Sequence, residues 1–62
     1  MRTFVATIDK CEHEFFTEIL ANSNFNFRVR NVAGHVEIRI HASSKNSIPY
    51  LIRDAFLEAM PI

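Results

Sequence analysis

A chain of 62 residues makes one small domain, and at this length folding buries only about 60% of the surface that the unfolded chain exposes. With 48% hydrophobic residues, six of them Phe, and a single Gly, the composition excludes a disordered or low-complexity protein. Seven basic residues balance seven acidic ones, which excludes a protein held to nucleic acid by bulk charge alone.

The lone Cys11 cannot form an internal disulfide, so a reducing, cytoplasmic setting is expected. The start, Met1 to Lys10, has no apolar run of the kind a leader carries. No stretch approaches the roughly 20 apolar residues that span a bilayer, so no membrane partner is expected.

Residues 2–8 alternate, with Phe4, Ala6 and Ile8 on one side and Thr3, Val5 and Thr7 on the other, which predicts a first strand. Asp9 and Glu12 have the spacing of a capping box and predict a helix start. Cys11, Phe15, Phe16, Ile19 and Leu20 then recur at helical spacing, which makes Cys11 a small core residue. Asn22, Ser23 and Asn24 end the helix, because Asn tolerates the left-handed conformation.

Residues 24–42 predict a hairpin. Phe25, Phe27 and Val29 point inward from the second strand, and Val36, Ile38 and Ile40 from the third. Two registers keep both apolar sets on one face. Pairing Val32 with His35 gives a two-residue Ala33-Gly34 turn, which forces Ala33 to positive φ and sets Arg28 opposite Arg39. Pairing Arg30 with His35 gives a four-residue loop ending on Gly34 and sets Arg28 opposite Glu37. The second register avoids both costs and is the one we expect.

Residues 43–47 form a polar connector in which Asn46 or Ser47 caps a second helix and Pro49 sits in its first turn. Ile48, Leu51, Ile52, Ala55, Phe56 and Ala59 repeat at helical spacing down to a stop at Pro61. Tyr50, Arg53, Asp54, Leu57 and Glu58 fall on the outer face.

The expected fold is therefore α+β: a two-layer sandwich of element order βαββα, with a three-stranded sheet in spatial order 1-3-2 and both helices on one face. It resembles the ferredoxin-like plan lacking its last strand, a likeness of fold that carries no function. In this arrangement the first strand is an open edge, and Thr3, Val5 and Thr7 carry no charge or proline to discourage another strand from pairing there. A second copy of the chain or a partner's strand is the expected occupant.

The exposed sheet face gathers Arg28, Arg30, His35, Arg39 and His41 against one acid, Glu37, while Glu12, Glu14, Glu18, Asp54 and Glu58 are assigned to helices. Such a dipolar molecule can steer an acidic partner. Sheet platforms for single-stranded nucleic acid also present aromatic rings, and Phe4, Phe25 and Phe27 all point inward. On the helix side Tyr50 and Leu57, with Met60 and Ile62 beyond them, outline a modest apolar patch.

Catalytic and metal signatures are not evident. Cys11 and His13 lie two apart and leave a helix on different faces, and His35 and His41 are six residues apart, roughly 20 Å along a strand. Gly34 is the only glycine, so no phosphate loop exists, and no cofactor is expected. The residues point to a small protein-binding module, not an enzyme, that regulates or inhibits a partner by occupying its surface; a compact chain of this size suits the small accessory proteins common in bacteria and their viruses. RNA or single-stranded DNA binding through the basic face is the alternative, and a structural homo-oligomer the third.

Overall fold

The structure, a computed structural model, describes residues 1–59. The chain runs β1 (Arg2–Ile8), a 3-10 turn (Lys10–Glu12), α1 (His13–Asn22), β2 (Phe27–Val32), β3 (His35–Ala42), a second 3-10 turn (Lys45–Ser47), α2 (Tyr50–Arg53) and β4 (Phe56–Glu58). It is an α+β domain with a four-stranded antiparallel sheet in the order β2-β3-β1-β4. The expected three-stranded sheet is thus corrected. β4 occupies the place beside β1 that the ferredoxin-like plan reserves for its last strand.

The alternation of β1 and β3 survives folding intact. Phe4, Ala6 and Ile8 and, opposite them, Ile40, Ile38 and Val36 are all buried. Phe16 and Leu20 of α1, Ile48 and Ile52 around α2, and Phe56 of β4 complete one cluster, so both helices cover the same sheet face. The Phe16 and Phe56 rings lie 6.2 Å apart at 50°, which ties the first helix to the last strand.

The start of α1 departs from expectation. Asp9 makes no side-chain capping bond; instead the Glu12 amide donates to the Asp9 carbonyl at 3.0 Å, and the chain enters through a 3-10 turn. That turn rotates Cys11 to the surface, so it is exposed and not a core residue. Phe15 is likewise half exposed, because the buried stripe of so short a helix narrows to Phe16 and Leu20. The far end is as expected. Asn24 adopts φ 62, the Phe25 amide donates to the Leu20 carbonyl at 2.9 Å and the Asn24 amide to Ala21 at 3.1 Å. This is a Schellman closure with Asn in place of Gly, and it returns Phe25 toward the core.

The hairpin takes the register with the two-residue turn. Val32 pairs with His35, Arg28 with Arg39 and Arg30 with Glu37. Ala33 and Gly34 have φ 40 and 92, the positive values that a type I′ turn needs at both positions. The strain at Ala33, about 1–2 kcal/mol, is offset because Asn31 and Val32 stay in the ladder and because this turn matches the twist of the strands. The four-residue loop would have removed both residues from pairing.

The largest correction concerns residues 48–59. The expected long helix is reduced to the four residues of α2, and Phe56, Leu57 and Glu58 leave it to pair with Ala6, Val5 and Phe4. Pro49 precedes α2, and neither Asn46 nor Ser47 caps it; Ser47 closes the preceding 3-10 turn and its hydroxyl bonds that of Ser43 at 2.8 Å. A helix through residue 59 would have left the whole outer edge of β1 unpaired beside the core, a cost that β4 removes. Phe56 is fully buried from the strand all the same. Arg53, expected outside, turns back: its Nε donates to the Ile48 carbonyl and its Nη2 to that of Asn46, both at 3.1 Å. The helix stop assigned to Pro61 and the tail of Met60 and Ile62 lie outside the described residues.

Two outcomes follow for stability. Ala33→Asn should raise the urea midpoint by the equivalent of about 1 kcal/mol, since Asn tolerates positive φ and completes an Asn-Gly turn. Phe56→Ala should cost about 3–5 kcal/mol in the same assay. The latter should also release the slow hydrogen exchange of the Ala59 amide, which donates to the Thr3 carbonyl at 2.8 Å.

Candidate binding face

The face of the sheet away from the helices is uncovered, and the registers place its side chains in rows. One row runs Leu57, Val5, Arg39, Arg28; the next runs Thr7, Glu37, Arg30; a third joins Thr3 to His41. Between them lies a shallow depression of about 500 Å³ lined by Thr3, Asn26, Arg28, Arg30, Glu37, Arg39 and His41 and bordered by Phe27, whose pairing with the buried Ile40 puts its side chain on the helix side.

Four of the five basic or histidine residues singled out from the sequence meet there: Arg28, Arg30, Arg39 and His41. His35 does not. It is half-buried at the turn end of β3, opposite Val32. At the other end His41 Nδ1 lies 3.1 Å from the Thr3 hydroxyl, a hydrogen bond that holds the imidazole over the rim. Thr3 thus joins the site from the strand where it had been expected only as an edge residue. Asn26 joins it as well; its outward parity was legible, but a neutral amide beside two arginines draws no notice in a charge count.

The electrostatics differ from the expected pairing. Glu37 is set opposite Arg30, and its carboxylate approaches Arg39 Nη2 on its own strand at 3.8 Å. Among the described residues neither Arg28 nor Arg30 has a carboxylate within ion-pairing distance. Arg28 instead stands directly across from Arg39. The juxtaposition is tolerable because this is a hydrogen-bonded pair, the wider kind, with Cα atoms about 5.5 Å apart. It leaves three guanidinium groups and one carboxylate around a single hollow.

The proposed edge site of Thr3, Val5 and Thr7 is corrected. β4 pairs with Phe4, Val5 and Ala6, and the Ala59 amide donates to the Thr3 carbonyl, so the edge expected to be open to a second copy or a partner's strand is filled over most of its length. The helix patch is corrected too. Leu57 lies on the open sheet face beside Val5, while Tyr50 remains exposed on α2, so the two do not share a surface. The acids are mostly elsewhere: Glu12, Glu14 and Glu18 lie on the 3-10 turn and α1, and Glu58, expected on a helix, sits on β4 with its carboxylate 3.5 Å from Arg2 Nε.

Among the described residues no helix is long and apolar enough to cross a membrane. Comparison of the chain with protein-family models, curated proteins and solved structures finds no match.

The Arg28/Arg39 pair makes a measurable statement. Arg28→Thr should raise stability by about 0.2–1 kcal/mol, because removal of a like charge from a cross-strand pair relieves repulsion. Added salt should stabilise the parent chain more than the variant in thermal denaturation, since screening achieves the same relief.

Proposed function

We propose that this chain is a binding module whose open sheet face takes an acidic surface of a partner protein, and that it regulates or inhibits that partner by occupying the surface. The observation that carries this is Arg28 opposite Arg39, with Arg30 beside them, around a hollow that holds one carboxylate. A folded protein that retains like charges face to face gains from a ligand of opposite charge, and guanidinium groups are suited to carboxylates through paired N–H donors. Steering by such a face speeds association as well as tightening it.

Carboxylates are favoured over a nucleic-acid strand by the placement of the rings. Phe4 and Phe56 are buried, Phe27 lies on the helix side by its pairing with Ile40, and the exposed rings, Phe15 and Tyr50, are on the helices. A single strand laid on this sheet would meet arginines but no stacking platform.

Titration with a polyglutamate chain and with a mixed-sequence single-stranded RNA at several salt concentrations tests the proposal. Polyglutamate should bind, and Arg28→Glu combined with Arg39→Glu should weaken it by about tenfold or more, equivalent to about 1.4 kcal/mol or above. Tighter binding of the RNA, with a steep salt slope lost in the same variant, would move the assignment to nucleic acid.

A further inference from the structure

The sheet ends at β2, whose outer edge has no partner strand among the described residues. The ladder defines which of its backbone groups are free. The Ala59 amide donates to Thr3, so odd residues of β1 turn their backbone toward β4 and even ones toward β3. Carried through the pairs Ala6 with Ile38 and Arg30 with Glu37, this alternation turns Arg28, Arg30 and Val32 toward β3. The N–H and C=O groups of Phe27, Val29 and Asn31 are left facing outward.

The side chains beside that edge differ on its two faces. Arg28 and Arg30 stand on the open face. On the helix side Val29 is 39% exposed although its neighbour Ile38 is fully buried, and Phe25 and Phe27 are only partly covered. The apolar cover of the helix side is therefore incomplete along β2. We propose that β2 takes up an extended segment of the partner protein as a fifth strand, one whose residues alternate acidic and apolar. The acidic set would meet Arg28 and Arg30, the apolar set would cover Val29 and Phe27, and the three free backbone positions would supply the ladder. The inference rests on the acidic-partner reading and names the form in which the acid arrives. A second copy is disfavoured as occupant, because two β2 strands side by side bring their arginine rows together.

The test uses the full chain and a labelled peptide of about seven residues, alternating Glu and Val, long enough to match a typical strand. Two controls accompany it: a peptide of the same composition with the Glu and Val residues in separate blocks, and the alternating peptide N-methylated at every second amide. The alternating peptide should slow amide exchange at Phe27, Val29 and Asn31, and the controls should bind about tenfold or more weakly, since strand addition depends on main-chain bonds. Val29→Pro should weaken the alternating peptide similarly while circular dichroism stays unchanged, because the Val29 N–H serves no internal ladder bond. Should that variant unfold, exchange at the three amides of the parent chain decides by itself.

Equal affinity for all three peptides with no protection at those amides would overturn strand addition and leave the sheet-face reading standing. Failure of these peptides and of polyglutamate alike would remove both. Concentration-dependent dimerisation in sedimentation, abolished by Val29→Pro, would assign the edge to a second copy and overturn the proposal.

Discussion

The constraint on which this fold depends is that β1 must be paired on both sides. It lies in the middle of the sheet, its even residues joined to β3 and its odd residues to β4, and every other element is placed by that requirement. A strand carrying Phe4, Ala6 and Ile8 into the core brings its backbone polar groups to the boundary of an apolar region, where an unpaired donor or acceptor costs more than a hydrogen bond returns. In so small a domain no spare layer exists to cover an open edge. Three residues taken from what would have been a helix serve instead.

The same economy explains the composition of the two faces. The helices are short, and the cover of the helix side thins at β2. Ile38 and Ile40 are fully buried while Val29, next in the row, is not. The open face carries the charge because its residues need not be desolvated, and the two-residue turn brings Arg28 into line with Arg39. Which charges stand opposite one another on that face is therefore a consequence of register, and register is a consequence of the turn. The hollow, the unanswered guanidinium groups and the free edge of β2 are adjacent because Arg28 and Arg30 stand on the strand that ends the sheet.

Much of this is legible in the residues, and the departures share a cause. Strict alternation in β1 and β3 identified both strands and their inward faces, and Asn24 announced the helix end through its tolerance of positive φ. Arg28, Arg30, Arg39 and His41 were placed on one exposed face by parity alone. The register departs from expectation because the strain at Ala33 and the repulsion between arginines are local costs, outweighed by the ladder that Asn31 and Val32 would forfeit in the longer loop. The second helix is shorter than its pattern predicts because Ile48, Ile52 and Phe56 suit a helical stripe and equally suit a short helix followed by a strand.

Sequence by itself determined the periodicities, the side of each strand that would be apolar, and the helix terminus at Asn24, because these depend on residues near one another in the chain. Tertiary structure decided whether Phe56 to Glu58 would be helix or strand, whether the edge of β1 would be open, and which cation would face which. The first two outcomes turn on hydrogen bonds between segments some 50 residues apart, as between the Thr3 carbonyl and the Ala59 amide, and the third on the hairpin register; no local pattern records whether such a partner is waiting.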